Sequence, residues 1–443
     1  MIKQQKVAKL LEKCLKSSSA DQTELVLMAE DLNLSRFAEN VIHQNIAQSD
    51  HNIFARIVLG KKVGIDSTNR LEKKEIEKHI GQAINIAGFQ KEDSNFVSLP
   101  SPGKTKKQNS PSRESFPLSP YDKAVKIEEI VRKCQEKNLY SAGAFQNKKE
   151  FVAVVNSLGI RKSFERTSAH ISLTVNDKDQ NSGWAQDFGW DESKLNIENV
   201  AKIAIEKALL SANPIELLPG QYTVILEEAA VASLVLFLAF LGFGAKGLIE
   251  KRSFMAGKIG EKITGDGITI IEDAYFPENP GIPFDYEGVD KKRVVLVENG
   301  IAKGVVYDSY YANLAGIEST GHALAPGNGF GPYPQNLVMN NGNSTKEEMI
   351  SSIQKGILIT QFWYINYMNP MKTMVTGTTR DGTFLIENGK IKSAMKNMRI
   401  AQSILEAFSN ATMLTQQRKL CPQYGVSLFV PAMKIENFNF IPT

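Results

Sequence analysis

Histidines are the first residues to examine for metal chemistry. A helical zinc peptidase site needs two imidazole ligands about one helical turn apart, with a glutamate between them as general base. The histidines of this chain are His43, His51, His79, His170 and His322. Because no two of them are about one turn apart, the sequence does not predict a self-contained histidine metal site.

Two carboxylates, Glu227 and Glu228, come directly before an apolar stretch in which residues 229–245 carry no charge. Acidic residues favour the positive end of a helix dipole, which is a sufficient structural reason for their position. The stretch itself fits a membrane span, a buried helix, or a helix in the place of a catalytic one. A span needs about 20 apolar residues, but Gly242 and Gly244 interrupt this stretch near its end. We therefore expect a buried helix.

The three cysteines, Cys14, Cys134 and Cys421, are far apart in sequence. Their odd number and wide spacing do not indicate a disulfide framework or a Cys-x-x-Cys metal site. Cys421 precedes a predicted strand and by itself is typical of a small buried residue. This cysteine usage favours a reducing, cytoplasmic location.

A glycine-rich segment, residues 316–334, contains Ser319 and His322. It matches neither the G-x-S-x-G nucleophile motif nor a phosphate-binding loop. It is either an irregular surface loop or a loop that lines a cleft. In the second case His322 and Asn336 are candidate substrate-binding residues, and Asn336 offers an amide to a peptide backbone. Asn336 is equally explained as an ordinary turn residue.

The elements around these residues predict an α+β fold. The first half shows paired strands followed by a helix, twice over, and Asn196 is the predicted cap of the last helix. The second half is β-rich and mostly antiparallel, with Asn-Gly hairpin turns at Asn299 and Asn388. A further helix is predicted to begin with Ser344 as cap and Glu347 three residues later. The expected organisation is an N-terminal α+β domain (1–98), a Pro/Ser/Lys-rich exposed connection (99–121), a central α+β region (122–218) and a β-rich C-terminal domain (219–443).

The overall charge is ordinary. The chain has 443 residues, a formal net charge of +4 and 42% hydrophobic residues. It shows no basic stripe, so we expect no nucleic-acid partner. The N-terminus is basic but has no apolar core segment, so it is predicted to be a helix rather than a signal peptide.

The order of several segments resembles the TldD/PmbA family. The segments include "RFAENVIHQNI", "LPGQYTVILEEAAVASLV", "SFMAGKIGEKIT" and "GTFLIENGKIKS". The resemblance extends over nearly the whole chain. The resemblance implies a two-subunit metallopeptidase. One subunit type carries H-E-x-x-x-H on a helix after a strand, with a cysteine near the C-terminus as third zinc ligand. The other type, PmbA or TldE, lacks the histidines.

On that pattern the two histidine positions correspond to Glu227 and Ala232, the general base to Glu228, and the metal-binding cysteine to Cys421. A methyl side chain cannot bind zinc. The resemblance therefore implies that this chain has no metal or other cofactor, that zinc belongs to the catalytic subunit, and that Glu228 and Cys421 are at most remnants of a catalytic site.

We therefore expect a non-catalytic subunit that acts in intracellular proteolysis or peptide maturation. Its expected partners are an unfolded peptide or small protein and either a TldD-like subunit or a second copy of itself. Two alternatives remain open. The first is a self-sufficient metallopeptidase with a site built from Glu228, Cys421 and His322. The second is a homodimer that binds peptides without cleaving them.

Overall fold

The computed structural model describes residues 4–103 and 119–442. The α-helices are α1 Gln4–Leu15, α2 Lys73–Phe89, α3 Pro120–Gln135, α4 Ile197–Leu210, α5 Glu228–Gly242, α6 Ala245–Ile249, α7 Ser309–Ala315, α8 Lys346–Ser351 and α9 Ile404–Ser409. Short 3₁₀ helices occur at Glu192–Lys194 and Pro370–Lys372.

The strands divide between two sheets. Those of the first sheet are β1 Gln22–Ala38, β2 Val41–Leu59, β3 Lys62–Thr68, β4 Tyr140–Asn156, β5 Arg161–Asn176 and β6 Ser182–Gly189. Those of the second are β7 Gly220–Leu226, β8 Ile270–Glu272, β9 Val294–Glu298, β10 Ile301–Ala302, β11 Asn336–Met339, β12 Lys355–Asn369, β13 Met374–Glu387, β14 Lys390–Ala394, β15 Arg399–Ser403, β16 Ala411–Leu420 and β17 Ser427–Ile441.

The first sheet is antiparallel throughout and has the order β3-β2-β1-β4-β5-β6. Its two halves repeat one succession, a helix, three strands and a helix, on either side of the central β1–β4 pair. The predicted repetition of paired strands and helices is therefore present. The segments 1–98 and 122–218, which the sequence separates, contribute three strands each to this single sheet.

The two faces of the first sheet are covered by different parts of the chain. Leu25 and Leu27 of β1 pack against helices α1 and α2. Val26, between them, points the other way because side chains alternate along a strand. It packs in a cluster with Ile282 and Phe284 from the second half of the chain. The helices therefore cover one face, and the C-terminal half covers the other.

The second sheet has eleven strands and is mainly antiparallel. Among the strand pairs of the described residues, β7–β12 and β11–β17 are parallel and the others are antiparallel. Since β7 pairs with both β12 and β17, the strands β7, β12, β13, β15 and β17 form a closed ring. The α+β class and the antiparallel C-terminal half are confirmed.

Helix α5 lies in the main core of the second half. Twelve of its fifteen residues are buried, and it packs against strands β12 and β17. This burial explains why residues 229–245 carry no charge. Within the described residues, no helix has both the length and the apolar composition needed to cross a membrane.

Several local predictions are confirmed, and one is wrong by a single residue. Asn196 caps α4 by accepting the backbone N–H of Asn199. Asn299 and Asn388 both have the positive φ of the predicted hairpin turns. The cap of α8, however, is Thr345, which forms a capping box with Glu348. The sequence S-T-K-E-E contains the capping pattern in two overlapping registers, and local spacing does not distinguish them.

The predicted connection 99–121 lies mostly outside the described residues. At its start, Leu99 is buried and its backbone N–H donates to Gln22 Oε1, so this end packs against β1 rather than being exposed. At its other end, Ser119 caps α3, which begins at Pro120. Tyr121 therefore belongs to a helix.

Candidate functional site

The carboxylates of Glu227 and Glu228 lie where strand β7 ends and helix α5 begins. The backbone N–H of Glu227 donates to the Ile359 carbonyl of β12, so the residue lies at the C-terminal end of β7. Both side chains are largely buried, with 14% and 6% of their surface exposed. Two buried carboxylates are costly unless cations neutralise them.

Lysines from two other helices supply those cations. Lys207 of α4 forms an ion pair with Glu227. The Lys346 Nζ of α8 lies 3.2 Å from Glu227 Oε1 and 2.9 Å from Glu228 Oε2, so it bridges the two carboxylates. We call Lys207, Glu227, Glu228 and Lys346 the lysine–carboxylate cluster. Lys419 Nζ, 3.9 Å from Glu228 Oε2, lies at its exposed side.

Ion pairing outweighs burial for Glu227 and Lys346, whereas burial lowers the pKa of Lys207 in spite of its ion pair with Glu227. Burial opposes ionisation of Glu227, but Lys207 and Lys346 hold its pKa well below the usual range of a glutamate. Burial likewise opposes the charge of Lys346, and the two glutamates raise its pKa above that of an ordinary lysine. Glu227 is therefore an anion and Lys346 a cation at neutral pH.

Cys421 is buried beside this cluster. Its residue is 2% exposed, and its backbone N–H donates to the Leu428 carbonyl of β17. Burial and the nearby charge of Glu228 raise the pKa of the Cys421 thiol to about 12. A cysteine acts as a metal ligand or nucleophile in its thiolate form, and this environment keeps the thiol protonated.

The other two predicted site residues, His322 and Asn336, meet at a different point, around Glu272. His322 Nε2 lies 3.4 Å from Glu272 Oε1, and the backbone N–H of Asn336 donates to Glu272 Oε2 at 2.8 Å. Burial lowers the pKa of His322, so its ring is neutral at pH 7. The ring also contacts Thr320 Oγ1 through Nδ1 at 2.9 Å.

His322 is thus a buried core residue rather than an exposed contact for substrate. Its side chain has no exposed surface, and its partners are Glu272 and Thr320 rather than Glu228 or Cys421. The three residues of the alternative peptidase site therefore belong to two separate clusters. The reason is topological: Glu228 begins α5, while His322 follows α7 and packs on β8.

Two family models match this chain. The PmbA/TldA metallopeptidase C-terminal domain matches residues 219–442, and the corresponding central domain matches residues 113–212. The chain belongs to the TldD/PmbA family.

The relatives of this chain include both TldD homologs and PmbA homologs. A TldD homolog of Buchnera aphidicola is 29% identical over 268 residues, which is 56% of this chain and 54% of the relative. The chain thus aligns with about half the length of that relative. A PmbA homolog of Haemophilus influenzae is 25% identical over 80% of this chain and 78% of its own. The crystal structure of TldE from Thermococcus kodakarensis superposes with a TM-score of 0.90 at 25% identity, covering 98% of this chain and all of that one.

The residues at the junction of β7 and α5 do not fit the zinc ion of a TldD/PmbA metallopeptidase. Zinc takes imidazole, thiolate or carboxylate ligands. Here the Lys346 ammonium lies between the two carboxylates, Ala232 is fully buried in the apolar core, and Cys421 is held as a thiol. Among the described residues, no three His, Cys, Asp or Glu side chains are grouped so that they could hold a metal ion.

A cavity of about 370 Å³ lies between the outer face of the first sheet and the C-terminal half. Its wall includes Arg166 of β5, Trp190, Asn336 and Gln423. Asn336 Nδ2 and Trp190 Nε1 are buried N–H donors without a hydrogen-bond partner among the described residues. Arg166 and Trp190 also line an adjacent, mainly apolar cavity of about 310 Å³. Together the two cavities form a groove with polar and apolar side chains in its wall.

The glycine-rich segment lines a separate cavity of about 370 Å³. Residues 323–329 form one side of it, and Arg56 and Asp308 lie on the other. Arg56 is itself buried between Glu24 and Glu287, at 2.9 Å from each, and this ion-pair network joins the first sheet to the C-terminal half. Part of the glycine-rich segment therefore lines a cavity, but His322 and Asn336 are not among the residues of its wall.

The sequence does not indicate a site role for three residues that organise these clusters: Lys207, Lys346 and Glu272. Each has an ordinary local explanation. Lys207 and Lys346 are charged residues on amphipathic helices, where they read as solvated positions, and Glu272 ends a three-residue strand. Their roles depend on partners that are distant in sequence, so no local pattern could have identified them.

Proposed function

We propose that this chain is the metal-free, non-catalytic subunit of a TldD/PmbA-type metallopeptidase complex. It binds an unfolded peptide or small protein and associates with a TldD-like subunit that holds zinc. The complex acts in proteolysis or peptide maturation in the cytoplasm. The resemblance of its overall structure to TldE supports this role.

One observation carries the proposal. At the position that corresponds to the catalytic motif, Lys346 bridges Glu227 and Glu228. A general base must be free to accept a proton from the attacking water, but the carboxylate of Glu228 is occupied by an ammonium group. Ala232, where the second histidine would be, contributes only a methyl group to the core.

The groove that contains Trp190 and Asn336 supports the peptide-binding part of the role. Within the part of the chain that the structure describes, Trp190 Nε1 and Asn336 Nδ2 lack hydrogen-bond partners, and peptide carbonyl oxygens can accept from them once movement of the surrounding side chains exposes these buried atoms. Satisfying buried donors contributes to affinity because leaving them without a partner costs free energy. The adjacent apolar cavity accommodates an apolar side chain of the same peptide.

The deciding experiment measures cleavage of an unstructured peptide by the purified chain alone and by its mixture with an H-E-x-x-x-H relative from the same source. We expect cleavage by the mixture, beyond that of the relative alone, and none by this chain. Cleavage by this chain alone that a chelator abolishes would refute the proposal. Cosedimentation of the two chains tests the association directly. If this chain forms a homodimer and does not bind the relative, the result would favour the peptide-binding alternative.

The groove is tested by fluorescence anisotropy with a labelled unstructured peptide. Trp190→Phe removes the unpartnered N–H while keeping an aromatic ring, and we expect weaker peptide binding. Trp184→Phe is the matched control because Trp184 Nε1 already donates to Ser172 Oγ. Equal affinities of the two variants would show that the peptide does not use this groove.

A further inference from the structure

We propose that the ammonium groups of Lys207 and Lys346 replace the charge of the family's metal ion inside this chain. The wild-type chain then does not bind a metal ion at this position, because the lysine side chains already neutralise its carboxylates. This inference rests on the proposed absence of metal, but not on the partner or peptide-binding role.

The first argument is charge. Glu227 and Glu228 carry two negative charges at a largely buried position. Lys207 and Lys346 carry two positive charges, the same total as one divalent ion. Both lysine side chains are mainly buried, with 13% and 25% of their surface exposed. Ion pairs at such positions are little screened by salt, so the two ammonium groups offset the charge of the carboxylates.

The second argument is position. Lys346 Nζ lies within 3.2 Å of one oxygen of each carboxylate. A zinc ion shared by the same two oxygens would lie about 2.0–2.2 Å from each. The space between these oxygens is therefore filled by the ammonium group, and a metal ion could enter only if Lys346 left.

The third argument is the source of the lysines. Lys207 lies on α4, which covers the first sheet, and Lys346 lies on α8 of the C-terminal half. Both reach Glu227 at the start of α5. The cluster thus joins three helices at one point, as a metal ion joins the elements that carry its ligands.

The test removes the two ammonium groups and asks whether a metal can take their place. In Lys207→Met/Lys346→Met, the carboxylates of Glu227 and Glu228 lose their cations. We expect the thermal midpoint to fall by about 5–10 °C and zinc or cobalt(II) to restore part of the loss. The wild-type chain should show no response to either metal.

The matched control also neutralises the acids: Lys207→Met/Glu227→Gln/Lys346→Met/Glu228→Gln. It should be more stable than the double variant and should not respond to metal. The inference is overturned if the double variant is as stable as the wild type. It is also overturned if wild-type chain holds stoichiometric zinc that Cys421→Ser removes, a measurement that does not require any lysine variant to fold. If the double variant does not fold, a folded control variant supports the inference, and an equally unfolded control contradicts it.

Discussion

Replacing Lys346 by methionine should destabilise the fold. The change keeps a long apolar side chain but removes the cation that bridges Glu227 and Glu228. Glu227 retains Lys207. Among the described residues, Glu228 keeps the more distant charge of Lys207 and an ion pair with Lys419, whose ammonium is 3.9 Å away and whose side chain is 48% exposed. The substitution therefore leaves Glu228 buried with a weak, solvent-screened partner.

The magnitude follows from the burial of the pair. Removing one partner of a fully buried ion pair costs about 3–5 kcal/mol. The Lys346 side chain is 25% exposed, so solvent screens part of the interaction, and we expect a loss of about 2–4 kcal/mol in the free energy of unfolding. Adding Glu228→Gln should recover a substantial part of that loss, because the second substitution removes the uncompensated charge.

The pH dependence of this difference has a definite sign. The folded-state pKa of Glu227 lies below its unfolded value, so its contribution to stability is present above about pH 4.5 and is lost as the pH falls. The pKa of Lys346 is raised in the fold, so its contribution is present below its unfolded value and is lost only at strongly alkaline pH. The stability gap between wild type and Lys346→Met should be complete at pH 7 and smaller at pH 3.5.

The assay is urea unfolding followed by circular dichroism at pH 7 and pH 3.5. Lys390→Met is the control because Lys390 is an exposed residue on β14, and surface substitutions usually change stability by less than about 0.5 kcal/mol. If Lys346→Met costs no more than Lys390→Met at pH 7, the cluster does not contribute the stability that its geometry indicates. A gap that grows at low pH would equally refute the reasoning.

Three further predictions concern single sites. Burial raises the pKa of Asp308 to about 6, so its contribution is lost as the pH rises from about 4 to 6. Asp308→Asn should therefore be more stable than the wild type at pH 7.5, by about 1–2 kcal/mol in urea unfolding, with little difference at pH 4. Thr345→Ala should lower the free energy of unfolding by about 1 kcal/mol through loss of the α8 cap. An equal loss for Ser344→Ala would instead indicate that Ser344 is the cap, as the sequence predicts. Gly64→Ala should lower the thermal midpoint, since the added Cβ would overlap the Ala83 carbonyl oxygen. A midpoint unchanged from wild type would contradict this close approach of β3 and α2.

Much of the fold follows from the sequence because its determinants are local. The Asn-Gly pairs at Asn299 and Asn388 supply the positive φ that two-residue hairpins need. Asn196 satisfies a backbone N–H at the start of α4 within three residues of itself. The uncharged residues of α5 predict burial without any knowledge of what covers them. What the sequence does not contain is the β1–β4 pairing, which joins segments on either side of the connection 99–121 into one sheet.

The candidate site also has a part that the sequence predicts and a part that only the tertiary structure shows. From sequence alone, Glu227, Ala232 and Cys421 could be matched to the positions of a metal-binding motif, since that comparison needs only residue identity and order. Only the tertiary structure shows that Lys346, 119 positions from Glu227, fills the space between the carboxylates, and that His322 belongs to a separate cluster. Ion pairs between distant elements depend on where helices pack, and each lysine in its own helix has the pattern of an ordinary solvated residue. The sequence thus predicts which ligand side chains the site lacks, and only the tertiary structure brings the lysines of α4 and α8 to the carboxylates at the start of α5.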